Sequence, residues 1–242
     1  MIPKTIHYCW FGHSPLPPLA IKCIESWKKY FPDYEIKEWN ENNFNVNMIP
    51  YTEEAYRLKK YAFVSDYARF WILYNYGGLY FDTDVEVIKN IDDIIAKGPF
   101  MGLEKMLSSH RLAIAPGLGI GCFPNHSFYK EVLSYYEKSH FVSWKGKVTK
   151  TVVTIVSQLL LSKQFEYQDK GIICCDGIYI YPNDYFDPLN YYTQELTVTE
   201  NTRSIHHYHA SWVTKNVNLF DKVKKRLSFI FCRLSVSMKK HL

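Results

Sequence analysis

At 242 residues and 47% hydrophobic composition, the chain is long enough for one sizeable core and too apolar to be a disordered polypeptide. The formal net charge of +5 sits at one end: residues 217–242 carry seven basic side chains against Asp221, so the first 216 residues sum to −1 and a nucleic-acid groove across the body is not expected. The six cysteines show no C-x-x-C spacing, and neither a charged leader nor an apolar run of about 20 residues is present; the expectation is reduced thiols in a cytoplasmic protein with no membrane span.

"KTIHYCW" reads as a first strand running into a Gly/Pro loop, and Pro18 to Tyr30 as a helix stopped by "FPDY". "EIKEW" is a second strand, so the opening is strand, helix, strand, as in an α/β sheet. Residues 53–76 are expected to be mostly helix, with Phe63, Phe70, Leu73 and Tyr74 at helical spacing and Gly77 and Gly78 as its stop. "LYF" and "VEVI" are short strands on either side of a turn. Further on, "GPFMGLE" and "LAIAPGLGIGCF" look like strands broken by glycine, and "SFYKEVLSYYEK" and "TKTVVTIVSQLLLSK" like helices. "GIYIYPNDYFDP" and "TRSIHHYHASW" return to strand and turn. The high aromatic content suits a generous core, and equally a groove that stacks on flat rings.

The turn between the two short strands, "GGLYFDTDVEV" over residues 77–87, places Asp82 and Asp84 one residue apart. Three chemistries use such a pair. Aspartate suits a solvated turn because its short side chain bonds its own backbone. A phosphatase of the haloacid dehalogenase type uses one carboxylate as nucleophile and the other as acid. A divalent cation gripping a diphosphate takes both as hard oxygen ligands. Upstream, Asp66 and Arg69 share a helix face, which on its own means a surface ion pair worth about 0.3–0.5 kcal/mol. Downstream, His206, His207 and His209 form either a solvated strand edge or the imidazole of a carboxylate metal site; alternation sends His206 and His207 to opposite faces, so only one is expected to coordinate, His206 before His207.

Taken in order, "YAFVSDYARFWILYNYGGLYFDTDVEV", "IPKTIHYCWFG", "YIYPNDYFDP" and "SIHHYHASW" resemble glycosyltransferase family 32, which holds yeast α-mannosyltransferases and bacterial capsule and lipopolysaccharide enzymes. The resemblance covers most of the first 215 residues. It implies a GT-A fold, an α/β Rossmann-like architecture with a mostly parallel central sheet and a nucleotide-sugar at the carboxyl ends of its strands. It implies Mn²⁺ or Mg²⁺ on Asp84, with Asp82 on the ribose and completing the metal shell, and a histidine closing the site. It also implies donor-sugar contacts from Asp66 and Arg69, Ser211 and Trp212 over the diphosphate, and retention of configuration.

Tyr80 shares a strand face with Asp82 and is expected to border the donor. Trp10 stacks on the base or belongs to the core. "GLGIGCFPNH" lacks the lysine of a phosphate-cradling loop and reads as the acceptor side. The phosphatase reading lacks a correctly spaced downstream acidic pair, since Asp92 and Asp93 come too soon, and leaves the histidine and Ser-Trp element without a role. A non-catalytic, cation-dependent sugar-binding module remains as the other alternative.

The expected organisation is a catalytic domain over residues 1–216 and a basic amphipathic helix over 217–242. On a helical wheel Phe220, Val223, Leu227, Ile230, Phe231, Leu234 and Met238 fall within about 100°. Such a stripe with a basic remainder suits either the interface of an anionic membrane, at the inner face of the cell membrane, or a helix packed on the body. The expected partners are a UDP-sugar, or next a GDP-sugar, and a glycan or lipid-linked glycan acceptor.

Overall fold

The structure, a computed structural model, describes residues 1–104, 113–142, 150–163, 171–191 and 193–209; Ser211, Trp212 and the 217–242 helix lie outside the described residues. Strand β1 (Thr5–Cys9) pairs in parallel with β2 (Glu35–Trp39), in register from Thr5 opposite Glu35 to Cys9 opposite Trp39. Between them runs helix α1 (Pro18–Tyr30). It opens on a proline, where the missing N–H would have had no helical partner, and closes as the Phe31 amide donates to the Trp27 carbonyl at 2.8 Å.

The stretch expected to be mostly helix over 53–76 is two helices, α2 (Pro50–Arg57) and α3 (Tyr61–Tyr76). The break is a left-handed cap at a lysine: Lys59 sits at φ 56, its amide donates to the Tyr56 carbonyl, and the Lys60 amide reaches back to Ala55. With no glycine there, composition does not mark the break. Helix α3 does end on glycine, Gly77 at φ 65, and β3 (Gly78–Tyr80) begins at once. A Cβ on Gly78 would come within 2.5 Å of the Thr5 carbonyl, so glycine is what lets β3 lie against β1.

Strands β5 (Phe100–Gly102), β6 (Ile120–Cys122), β7 (Ile173–Cys175) and β8 (Ile178–Tyr181) complete a seven-stranded sheet of order β2-β1-β3-β6-β5-β8-β7. Strand β6 is antiparallel to both neighbours and β7 to β8, so five of the seven strands run one way. Side chains alternate between two cores, as a pleated strand requires. Tyr80, Met101 and Ile120 pack under α2, α3, α5 (Ser127–Glu137) and α6 (Val152–Leu161). Ile6, Leu79 and Phe100 face the other way, towards α1, α4 (Asp92–Ile95) and α7 (Asn183–Phe186).

A second, two-stranded sheet pairs β4 (Val85–Val87) with β9 (Ser204–His206), Val85 opposite His206. Helix α1 anchors it: Trp27 Nε1 donates to the Val85 carbonyl at 2.8 Å and the Val87 amide donates to Ser26 Oγ at 2.9 Å. Among the described residues the five cysteines are unpaired, and no helix is long and apolar enough to cross a membrane.

Where β1, β2 and β3 meet, His7 is buried. Its Nε2–H donates to the Gly77 carbonyl at 3.0 Å, and Trp39 Nε1–H donates to its Nδ1 at 3.1 Å, so the neutral ring is fully satisfied. Burial pushes its pKa down to about 4 from 6.5. An unfolded chain takes up this proton near pH 6.5 and the native one refuses it until about 4, so the stability contributed by His7 is complete above 6.5 and is lost as pH falls towards 4. The loss expected from this residue across that window is about 3 kcal/mol. His7→Gln keeps a donor and an acceptor but does not titrate, so urea unfolding at pH 7 and pH 4.5 should show a shallower loss for the variant; the full wild-type loss in the variant would show that His7 is not the group responsible.

Candidate active site

Helix α3 buries two charged residues among its apolar ones, Asp66 and Arg69. Arg69 Nη2 lies 2.9 Å from Asp66 Oδ1 and 3.2 Å from Asp82 Oδ1, its Nε donates to the Ser65 carbonyl at 3.1 Å, and its guanidinium lies 5.1 Å from the centre of the Tyr80 ring. The pair that spacing alone would leave on the surface is thus a buried three-residue network reaching the Asp-x-Asp turn. Arg69 is held firmly charged against its burial by Asp82, Tyr80 and Asp66. Burial pushes the Asp66 carboxyl up to about 7 against the pull of Arg69, and raises that of Asp82 with the help of the Asp84 charge.

Tyr80 is 1% exposed and its hydroxyl donates to Asp82 Oδ1 at 3.1 Å. It supports Asp82 from behind rather than bordering the open space in front. The glycine stretch read as the acceptor side starts beside this carboxylate, with Gly117 and Leu118 on the wall of the same cavity. The Asp82 amide donates to the Gly117 carbonyl at 3.3 Å, and a Cβ on Gly117 would collide with Asp82 Oδ2.

Asp84 looks towards β9. Its Oδ1 lies 3.2 Å from His206 Nε2, its Oδ2 accepts from the His209 amide at 2.9 Å, and its carbonyl accepts from the His207 amide. Against the burial that would raise it, the His206 charge and hydrogen bond and the His209 amide hold Asp84 at about 2; against the burial that would lower it, Asp84 lifts His206 to about 9. His207, on the other face, lies 2.8 Å from Glu86 Oε2, an oxygen that also pairs with Lys22 at 2.8 Å. Of the two candidate histidines, only His206 is brought to the aspartates.

Asp66, Arg69, Asp82, Asp84 and His206 share the wall of a cavity of about 930 Å³, large enough for a nucleotide with an attached sugar. Trp10 also lines it, half-buried, with its indole N–H donating to the Ser14 carbonyl at 2.6 Å. The cavity lies beyond the carboxyl ends of strands that point the same way: Trp10 follows β1, Asp82 follows β3 and Glu104 follows β5. Glu104 and Tyr208, also on the wall, escaped the sequence reading; a carboxylate two residues past an apolar strand was the signal for the first, and Tyr208 gave none.

Two carboxylates and one imidazole are donor types that a hard divalent cation accepts. His206 Nδ1 is buried with no hydrogen-bond partner, so a cation on Nε2 would have only the Asp84 contact and its proton to displace. Among the described residues no three such groups already stand gathered as a closed metal cage.

A family model described as a glycosyltransferase sugar-binding region containing the DXD motif matches residues 17–101. An uncharacterized glycosyltransferase of Acanthamoeba polyphaga mimivirus is 26% identical over 206 residues, which is 78% of this chain and 77% of that one. Inositol phosphoceramide mannosyltransferase 1 of Schizosaccharomyces pombe is 27% identical over 41% of this chain, and the chain spans about a third of that enzyme's length. Among solved structures, the PaToxG glycosyltransferase aligns with a TM-score of 0.49 and 20% identity over 66% of this chain and 69% of its own. The α/β sheet, with most strands in one direction and the aspartates at its carboxyl edge, has the GT-A architecture that the family resemblance implies.

Removing a buried cation leaves its partners uncompensated, at a cost of about 3–5 kcal/mol. Arg69→Met should destabilise the protein by that order in urea unfolding, and the same substitution in an Asp66→Asn, Asp82→Asn background should cost far less. Equal costs in both backgrounds would mean that the three side chains do not act as one network.

Proposed function

We propose that this chain, which belongs to the glycosyltransferases with a DXD-containing sugar-binding region, transfers a hexose from a nucleotide-diphosphate sugar to a growing surface glycan. A UDP-sugar is the first candidate donor and a GDP-sugar the second; the acceptor is a polysaccharide, of capsule or lipopolysaccharide type, or a glycolipid. The observation that carries the reading is the convergence of Asp66, Arg69, Asp82, Asp84 and His206 on one cavity at the carboxyl edge of the sheet. A relative named as an inositol phosphoceramide mannosyltransferase supports a lipid-linked acceptor.

In this reading Asp82, Asp84 and His206 hold Mn²⁺ or Mg²⁺, which when bound neutralises the diphosphate leaving group as a Lewis acid. Asp82 also faces the ribose, kept in place by Arg69 and Tyr80. Asp66 and Arg69 take the hydroxyls of the donor sugar through charge-assisted hydrogen bonds, with Arg69 near the phosphates. Trp10 on the cavity wall stacks on the base, and Ser211 and Trp212 cover the diphosphate. Reaction is on the front face: the acceptor hydroxyl oxygen bonds to the anomeric carbon as the bond to the diphosphate oxygen breaks, the proton passes to that oxygen, and configuration is retained. A lipid-linked acceptor suits attachment to the inner face of the cell membrane through the basic tail.

Asp84→Asn keeps the side chain's shape while removing the charge that faces the cation. In a screen of UDP- and GDP-sugars, wild type should hydrolyse one donor slowly with Mn²⁺ stimulation, and Asp84→Asn should fall by about a hundredfold. Thermal melting gives a second readout: Mn²⁺ with the free nucleoside diphosphate should raise the wild-type midpoint and leave that of Asp84→Asn unmoved. Mn²⁺-stimulated turnover within a few-fold of wild type would remove Asp84 from the metal shell.

A further inference from the structure

The acidic groups on the cavity wall are compensated, with one exception. Asp66 and Asp82 share Arg69, and Asp84 has His206 and the His209 amide. Glu104 makes no ion pair among the described residues; its one side-chain hydrogen bond among them is with the Tyr208 hydroxyl at 3.5 Å. That hydroxyl has a single proton, and Asp187 Oδ1 takes it at 2.8 Å, so the oxygen presents mainly lone pairs to Glu104. Burial and the Asp187 charge disfavour the ionised form of Glu104 and outweigh the His206 charge and the Tyr208 hydroxyl, which favour it.

The backbone keeps this arrangement at a cost. Tyr208 sits at φ 50, a conformation strained for a bulky side chain, with its ring 4.2 Å from that of His206 and its hydroxyl on Asp187, which is itself fully buried. Glu104 therefore stands one side chain away from the ring that meets Asp84. It also lies just beyond β5, one of the strands whose carboxyl ends carry the site, and its own amide is fixed to the Ala113 carbonyl at 2.8 Å. A half-buried carboxylate with no ion-pair partner among the described residues, held rigidly on a cavity wall, gains stability when a ligand brings it a donor.

We infer that Glu104 binds the transferred sugar by accepting a hydrogen bond from one of its hydroxyls, with Tyr208 as the residue that positions it. The inference rests on the glycosyltransferase reading and adds a specificity-determining contact to it. A hydroxyl is the fitting partner because it donates one proton to a carboxylate without requiring a charge. The contact serves the sugar and leaves the nucleotide untouched, so its loss separates the two halves of the donor.

The test compares wild type with Glu104→Gln, which keeps size and removes the charge. Three measurements are made: the thermal midpoint without ligand, the affinity for free UDP and GDP with Mn²⁺, and the Mn²⁺-dependent hydrolysis of the sugar nucleotide that wild type turns over. The expected result is a midpoint equal to or above wild type, affinity for the free diphosphate within about twofold, and hydrolysis lower by about ten- to a hundredfold. Unchanged hydrolysis with an active wild type overturns the inference and leaves the glycosyltransferase reading standing. A lower midpoint together with weaker diphosphate binding makes Glu104 a structural residue and also overturns it. A wild type that neither binds UDP or GDP nor hydrolyses any sugar nucleotide overturns the reading itself, and this inference with it.

Discussion

A guanidinium cannot shed its proton, so a protein that buries one must surround it with acceptors. Arg69 is such a group, its side chain 4% exposed, and its two carboxylates come from different elements: Asp66 from its own helix and Asp82 from the turn after β3. The distance between helix and turn is therefore set by charge as well as by apolar packing. Everything that lets the turn approach follows from this. Gly78 allows β3 to lie against β1, and Gly117 leaves room for the Asp82 side chain where any Cβ would intrude. Tyr80 closes the network from behind with its hydroxyl on Asp82 and its ring beside the guanidinium.

The second half of the site is assembled from far along the chain. Strand β9 brings His206 to Asp84, and the pairing of Val85 with His206 fixes which histidine faces the aspartates. The alternate residue, His207, goes to Glu86, and Lys22 of α1 meets the same carboxylate oxygen. Helix α1 also holds both backbone groups of β4 through Trp27 and Ser26. The small sheet is thus anchored on one face by a clasp of helix, strand and histidine while His206 on the other face meets Asp84. A slip of one residue in this pairing would put Ile205 or His207 opposite Val85 and turn His206 away from Asp84.

This division explains what could be read from the sequence. Helix α1, strands β1 to β3, most of α3 and helices α5 and α6 follow local periodicity and local punctuation, and those signals are carried by neighbours in sequence, whereas the short α7 lies in a stretch that reads as strand and turn. The split between α2 and α3 was hidden because its left-handed residue is Lys59 rather than glycine. The alternation of His206 and His207 was legible, but which of them meets Asp84 depends on a register with β4 that no local pattern records. The role of Gly117 was likewise out of reach, since its reason is a carboxylate 35 positions earlier in the chain. Asp66 and Arg69 looked like a surface pair for the same cause: spacing reports a shared helix face and says nothing of what covers it.

Placing functional groups at strand ends has a further consequence for precision. Trp10 comes one residue after β1, and Asp82 and Glu104 come two residues after β3 and β5. So short a lead from a seven-stranded sheet leaves little backbone freedom, and the remaining side-chain freedom is removed by Arg69 and Tyr80 at Asp82 and by the fixed amide at Glu104. A displacement of about 1 Å at a reacting centre can cost on the order of a hundredfold in rate, so groups at a candidate active site gain from rigid mounting. The sheet pairs each of these strands with neighbours on both sides, so the three positions move together or hardly at all. The charge network then does at the side-chain level what the sheet does for the backbone: it holds carboxylates close together that would otherwise repel one another, ready for a ligand that needs them all at once.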